Sequence, residues 1–119
     1  MFINFTNHPS CNWDKEQLIC ANQYGSILDI AFPDVDPKYT KQDILLLAKQ
    51  YVDKIVSYKP KAVLVQGEMS LCYNVVKLLK ELDMFVLCAC SNRESIETID
   101  EDGRTIKNSI FVFSGFREY

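Results

Sequence analysis

The stretch AVLVQGEMSL, residues 62–71, carries the pattern that decides the fold. Residues 62–66 form an apolar run without alternation, which is typical of a parallel strand covered on both faces. Gly67 then turns the chain, and Ser70 can cap a helix whose apolar residues lie along one side. A strand that passes through a short turn into an amphipathic helix is the building unit of an α/β fold.

The same unit recurs on both sides of this stretch. Strands are predicted at residues 2–6, 26–32 and 84–90, which are rich in apolar, aromatic or β-branched residues. Residues 94–100 and 105–114 alternate about Asp102-Gly103, which is a strong hairpin signal. The pattern predicts one Rossmann-like domain over residues 1–119, a three-layer sandwich with a parallel sheet in the order 2-1-3-4 and a C-terminal β-hairpin.

Helix ends are marked by capping residues. Asn12 is a candidate N-cap for a helix over residues 13–24, which Gly25 ends. Thr40 with Asp43 approximates a capping box for a helix that stops before Pro60. In the last predicted strand, Phe111, Phe113 and Phe116 give one apolar face.

Composition excludes some classes of function. The chain has 119 residues, 48% of them hydrophobic, and a net charge of −3, so it lacks the basic field with which proteins bind long nucleic acids. No apolar run approaches the roughly 20 residues of a membrane helix, and no leader pattern opens the chain. Five cysteines without paired spacing favour a reducing cytoplasm over a disulfide framework.

Polar residues follow three strands that meet at one edge of the predicted sheet. Open α/β sheets bind ligands outside the carboxyl ends of their strands, where the winding reverses. The three loops carry Asn7, His8, Pro9 and Ser10; Gln66, Gly67, Glu68 and Ser70; and Cys90, Ser91, Asn92 and Arg93.

Each of these groups has a chemical and a structural interpretation. His8, the one histidine, could act as general acid or base, or could only cap its loop by bonding the backbone. Gly67 could let backbone N–H groups approach a phosphate, or could form an ordinary turn with Glu68 favourable at the helix start. Arg93 could bind a phosphate, or could pair with Glu94 or Glu97. Trp13 could roof the pocket or simply pack.

Several cofactor classes lack their motifs. There is no phosphate-loop lysine and no G-x-G-x-x-G, so no dinucleotide cofactor is predicted. His8, Cys11 and Cys90 match no zinc spacing, and no signature surrounds Cys90 as a nucleophile. We therefore expect no cofactor and no metal.

The segment Asn4-Phe5-Thr6-Asn7-His8-Pro9-Ser10, followed by Trp13 and Gln17, resembles the start of small stand-alone CRISPR-associated proteins with CARF-like Rossmannoid domains. The resemblance is sharpest over residues 4–17 and extends as general topology through residue 91. CARF domains bind cyclic oligoadenylates, and some of them, the ring nucleases, degrade them. The resemblance thus implies a homodimer, since a symmetric cyclic ligand suits a pocket across a two-fold axis.

The activity that the resemblance implies is metal-independent. A ribose 2′-hydroxyl attacks the adjacent phosphorus and leaves a 2′,3′-cyclic phosphate, which the enzyme favours by alignment and by stabilising charge. The matching motif contains His8, whereas Glu68 and Arg93 join the catalytic set by position alone. The expected ligand-binding residues are Asn7, Pro9, Ser10, Trp13, Gln66, Gly67, Ser70, Ser91 and Asn92.

Two other classes of function stay open. The same pocket could sense or sequester a nucleotide signal without turnover. The chain could also be a small interaction domain, or an unrelated Rossmannoid transferase that uses Glu68. A turnover assay separates the first from the ring nuclease, and the last two predict no thermal shift with cyclic oligonucleotides.

Overall fold

The computed structural model describes all residues, 1–119, and contains one five-stranded sheet in the order β2-β1-β3-β4-β5. The strands are β1 (Phe2–Phe5), β2 (Ile27–Asp29), β3 (Ala62–Val65), β4 (Val86–Ile99) and β5 (Thr105–Glu118). The helices are α1 (Lys15–Asn22), α2 (Lys41–Ser57) and α3 (Met69–Glu81), with a 3-10 turn at Ser10–Asn12. The first four strands are parallel and β5 is antiparallel. The predicted strand order is confirmed.

Helices cover both faces of the sheet, which gives the predicted three layers. All four residues of β1 and of β3 are buried. Alternate side chains of these strands, such as Phe5 and Val65, join the larger core with α2 and α3. Phe2 and Leu64 point to the other face and pack with Ala21 of α1. The continuous apolar run of β3 is therefore explained by burial on both sides.

Two of the three predicted N-caps are wrong. Thr40 and Asp43 form the predicted capping box. Asn12 does not cap α1, because residues 10–12 form the 3-10 turn first and Asp14 then accepts a bond from the Gln17 N–H at 2.8 Å. Ser70 does not cap α3 either, since the Glu68 carboxylate accepts from the N–H groups of Ser70 and Leu71.

β4 is longer than predicted, and the hairpin is its continuation. The strand runs without a break from Val86 to Ile99, so the expected loop at residues 90–93 is extended backbone. It pairs with β5 from Leu87↔Glu118 to Ile99↔Thr105. Polar residues fit here because the outer part of the hairpin is exposed on both faces and needs no apolar side. The predicted hairpin and its Asp102-Gly103 turn are confirmed.

A β-bulge determines which side chains of β5 share a face of the sheet. Cys90 pairs with Gly115 and Ser91 pairs with Phe113, so Ser114 is an extra residue that forms a β-bulge. The bulge brings Phe116 onto the same side as Phe113, with ring centroids 5.1 Å apart. Strict alternation would have placed these two rings on opposite faces.

The outer part of the hairpin extends beyond the body of the protein. The radius of gyration is 17.2 Å, whereas a compact chain of this length has about 13.5 Å. The longest dimension is 55 Å and the shortest is 21 Å. None of the three helices is both long and apolar enough to cross a membrane, and all five cysteines are free thiols.

Gly67 should resist substitution because a buried ring lies against it. A Cβ atom at this position would come within 2.5 Å of the Phe32 ring, and Phe32 is held by the Phe5 ring at 4.8 Å. We expect Gly67→Ala to lower the free energy of unfolding by about 1–3 kcal/mol, measured by urea denaturation. In a Phe32→Ala background the same change should cost under about 0.5 kcal/mol. An equal cost in both backgrounds would contradict this steric explanation.

Candidate functional site

A cavity of about 500 Å³ lies at the carboxyl ends of β1 and β3, on the side of the sheet that α1 covers. This is the edge that the sequence predicted, and the volume falls within the usual range of small-molecule sites. The lining residues are Thr6, His8, Asn12, Trp13, Asp14, Gln17, Leu64, Gln66, Ala89, Ser91, Phe111 and Phe113.

Three parts of the chain build this cavity. Thr6 and Leu64, at or near the ends of β1 and β3, line it together with Ala89 in the first part of β4. The segment from the 3-10 turn into α1 contributes Asn12, Trp13, Asp14 and Gln17, and β5 contributes Phe111 and Phe113. The cavity therefore combines aromatic rings with amide groups, one imidazole and one carboxylate.

The loop after β1 is held by a buried asparagine. Asn4 is 1% exposed, and its amide nitrogen donates to the His8 carbonyl at 2.9 Å and to the Asp29 carboxylate at 2.8 Å. Its amide oxygen accepts from the Thr6 hydroxyl at 2.8 Å. A buried amide must find such partners to offset the loss of water. Asn4 thus joins β1, β2 and the loop in one network.

His8 is fixed through its backbone, and its side chain is left free. The His8 carbonyl accepts from the Asn4 amide and from the Trp13 indole N–H at 3.1 Å. Its own N–H donates to the Thr6 hydroxyl at 3.1 Å. The exposed imidazole makes no hydrogen bond within the chain. The loop-capping interpretation therefore holds for the backbone of His8 and not for its imidazole, which is unbonded and belongs to a residue that lines the cavity.

Trp13 serves both of the roles that the sequence left open. Its ring meets Phe2 edge-to-face at 6.2 Å and 85°, so it packs against the core on this side of the sheet. Its indole N–H holds the His8 carbonyl, and it also lines the cavity. Packing on one side therefore presents a rigid aromatic surface on the other.

A hydrogen bond from the backbone determines the orientation of the Gln66 side-chain amide. The Ala89 N–H, which can only donate, bonds the Gln66 amide oxygen at 3.2 Å. The amide NH₂ makes no bond within the chain and belongs to a residue that lines the cavity. Gln66 consequently offers hydrogen-bond donors to a ligand rather than acceptors.

The start of α3 does not share this cavity. The Glu68 carboxylate accepts from the Ser70 N–H at 3.0 Å, the Leu71 N–H at 2.9 Å and the Ser70 hydroxyl at 2.7 Å. The Leu71 bond, followed by those from Ser70, holds the pKa of Glu68 below its usual value. The side chain thus occupies the donors that an anion would use. Gly67 lies against the Phe32 ring, and this close packing is enough to explain why the position is a glycine. A bound phosphate is not needed to account for it.

The residues expected after β4 are divided between the two faces of the strand. Ser91 lines the cavity. Arg93 lies opposite Phe111, and paired residues project to the same face, so Arg93 is on the cavity side farther along the hairpin. Asn92 and Cys90 alternate with them and project to the other face. The structure thus separates Cys90 from the cavity that contains His8.

Asn7, Pro9 and Ser10 lie beside the main cavity rather than in it. Asn7 and Pro9 line a smaller cavity of about 170 Å³ together with Asp29. The Ser10 hydroxyl donates to Asp29 at 2.9 Å. These three residues shape the loop that presents His8, and the structure does not place them around the 500 Å³ cavity.

The half-buried thiols of Cys72 and Cys88 take no part in the cavity. Burial raises the pKa of the Cys72 and Cys88 thiols, and it also raises the pKa of the Tyr119 phenol. The phenol donates to the Val65 carbonyl at 2.8 Å. A thiol with a raised pKa is a poor nucleophile near neutral pH. No group of three His, Cys, Asp or Glu side chains is placed to hold a metal ion.

Sequence reasoning missed eight of the twelve lining residues. Asn12 was assigned to a helix cap, and Asp14 and Thr6 were not singled out as site residues. Gln17, which the N-terminal motif contains, was not among the expected ligand-binding residues, although it lies one helical turn from Trp13. Phe111 and Phe113 were assigned only to an apolar face, because nothing local predicts that β5 returns beside the ends of β1 and β3.

One family model matches residues 1–117, that of the Uncharacterized protein MJ1673 family. The chain belongs to this family. Comparisons with curated proteins and with solved structures find no match. The match covers nearly the whole of this MJ1673-family chain, including Asn4, His8, Trp13 and Gln66.

The capping role of Glu68 predicts a pH-dependent difference in stability. A carboxyl group whose pKa is lowered by folding stabilises the fold above its ordinary value and loses this effect as the pH falls through the lowered value. We expect Glu68→Gln to melt below the wild type at pH 7, with a gap that closes below about pH 4. The matched control, Glu101→Gln in the exposed hairpin turn, should give no such closing gap. A gap for Glu68→Gln that stays constant with pH would refute the capping role.

Proposed function

We propose that this MJ1673-family protein binds a cyclic oligoadenylate in the 500 Å³ cavity and cleaves it by attack of a ribose 2′-hydroxyl. The observation that carries the proposal is the free imidazole of His8, held on a fixed backbone at the rim of a cavity with aromatic and amide groups. The resemblance over residues 4–17 supplies the ligand class.

The composition of the cavity suits a nucleobase. Flat aromatic side chains stack on bases, and amide groups bond their polar edges. Trp13, Phe111 and Phe113 provide the rings, and Gln66 provides oriented N–H donors. An adenine ring nitrogen, which accepts hydrogen bonds, is a suitable partner for such a donor.

The size of the cavity favours the binding of one cyclic ligand by two copies of the protein. A volume of about 500 Å³ suits a drug-sized ligand and is too small to enclose a ring of several nucleotides. Two cavities related by a two-fold axis would each take part of the ring, which agrees with the homodimer that the resemblance implies. Part of the ligand would then remain outside each protomer's cavity.

The reaction needs one proton removed and one supplied. The 2′-oxygen forms a bond to phosphorus while the bond from phosphorus to the 5′-oxygen breaks, which leaves a 2′,3′-cyclic phosphate and a 5′-hydroxyl. In our proposal neutral His8 accepts the 2′-hydroxyl proton, and the resulting imidazolium or water protonates the departing 5′-oxygen. The rest of the rate gain comes from holding the 2′-oxygen in line with the leaving oxygen.

The charges in the cavity limit how it can hold phosphate. Its lining has one carboxylate, Asp14, and no Lys or Arg. Phosphate would have to contact amide or hydroxyl groups such as Ser91, with Arg93 on the same face of the hairpin as the nearest cation along β4. Glu68 and Ser70 take no role in this proposal, because their polar groups bond each other.

One observation favours the alternative, a domain that binds the nucleotide without turnover. Besides His8, the only ionisable group among the lining residues is Asp14, which already accepts a bond from the Gln17 N–H at the start of α1. A cavity with a single free proton-transfer group is better equipped to bind than to catalyse quickly. This alternative uses the same cavity and the same ligand class.

Incubation with cyclic tri-, tetra- and hexa-adenylate in EDTA, followed by mass spectrometry, tests the proposal. We expect linear products that end in a 2′,3′-cyclic phosphate. Intact ligand that raises the melting temperature would support the binding domain, since a ligand at 100 times its Kd adds about 2.7 kcal/mol. Intact ligand with no thermal shift would reject both.

Variants then separate binding from turnover. We expect His8→Ala to reduce cleavage by about 100-fold or more and to keep the ligand-induced thermal shift. Trp13→Ala should weaken binding by loss of stacking, by about 1–3 kcal/mol. The control is Asn22→Ala at the exposed end of α1, which should match the wild type in both assays. Wild-type cleavage by His8→Ala would remove His8 from the mechanism.

A further inference from the structure

The outer edge of β5 is long and unprotected. β5 is an edge strand of the sheet, and the segment from Thr105 to Phe113 lies beyond the bulge at Ser114. Natural edge strands are usually short or blocked by proline, charges or bulges. This segment contains no proline, and its one charged residue is Lys107.

The projecting part of the hairpin also carries apolar side chains that are only partly covered. Ile96, Ile106 and Ile110 are 42–43% exposed. Pairing and alternation place all three on the face opposite the cavity, with Ile106 and Ile110 on either side of Asn108, the partner of Ile96. A two-stranded hairpin without further packing is only marginally stable in water. The projection therefore lacks the contacts that usually order such an element.

We propose that the edges of β5 from two copies of this chain pair antiparallel about a two-fold axis, and so join the two sheets. The surface is residues 105–113, and the occupant is the same segment of a second copy. This inference goes beyond the proposed function and does not depend on which ligand the cavity binds.

The number of hydrogen bonds that such pairing offers agrees with what a stable interface contains. Half of the backbone groups of an edge strand point away from its neighbour, so two nine-residue segments can form about nine new bonds. Typical protein interfaces contain about 10 ± 5 direct hydrogen bonds. In the register centred on Asn108, the pairing also places Ile106 opposite Ile110 of the second copy.

Charge and closure favour a second copy over an unrelated chain. Lys107 is the single charge in the segment, so antiparallel self-pairing centred on Asn108 or Ser109 opposes no like charges. A two-fold pairing uses both β5 edges and ends there. The other edge strand, β2, has only three residues, so the joined sheet does not continue to grow.

The pairing would place the two cavities in one continuous sheet. Phe111 lies in the paired segment and also lines the cavity, where it is 74% exposed. Its neighbour across the new pair would be a residue of the second copy, such as Thr105 or Lys107. The second copy would then border the open wall of the cavity.

Light scattering during size-exclusion chromatography tests this pairing. We expect a mass of twice 13.7 kDa for the wild type. Ile106→Lys with Ile110→Lys should give the monomer mass, because lysines on an edge strand block pairing. The matched control is Ile96→Lys with Thr98→Lys, which adds the same charge on the same face of the inner strand, and it should remain dimeric.

Each other outcome overturns the proposal. A wild-type monomer at the highest concentration that stays clear would reject the dimer. Loss of the dimer in both double variants would indicate packing through the hairpin face, and retention in both would indicate another surface. If the variants fail to fold, hydrogen exchange of the wild type still decides, because amides of residues 105–113 must exchange faster on dilution if β5 pairs between copies.

Discussion

The buried side chain of Asn4 is the constraint on which the candidate site depends. A primary amide inside a core is costly unless its donors and acceptor are bonded, and the partners it finds are Thr6, His8 and Asp29. These bonds hold the loop after β1 against the end of β2. They thereby fix the backbone position from which the His8 side chain extends. The short motif after β1 therefore first stabilises the loop, and it leaves the imidazole of His8 exposed.

The two faces of the sheet differ in how completely helices cover them. The face toward α2 and α3 carries the larger apolar core and the capped start of α3. The face toward α1 is less fully covered, because α1 has eight residues and only Ala21 of them is buried. The uncovered part of this face, near the strand ends, is where the cavity lies.

Much of the architecture could be predicted from local pattern. The apolar run of β3 and the spacing of the helices are enough to order the parallel strands, and residue type and position placed His8, Trp13, Gln66 and Ser91 at one edge. The caps at Asn12 and Ser70 were wrong because each helix is capped at a nearby carboxylate: Asp14 accepts from the Gln17 N–H, and Glu68 accepts from the N–H groups of Ser70 and Leu71. The aromatic wall from β5 depends on pairing distant in sequence, which no local pattern contains.

The bulge at Ser114 separates the register of the hairpin from that of the body. Residues 115–118 pair with the part of β4 that lies within the body of the sheet, and residues 105–113 pair with the part that projects from it. Ser114, between these two segments, has no partner residue on β4. Because side chains alternate with a period of two, equal shortening of both arms at the tip keeps Phe111 and Phe113 on the cavity side. The hairpin can therefore change length during evolution in matched steps without altering the cavity, while a one-residue change in one arm alone would turn the shifted residues to the opposite face.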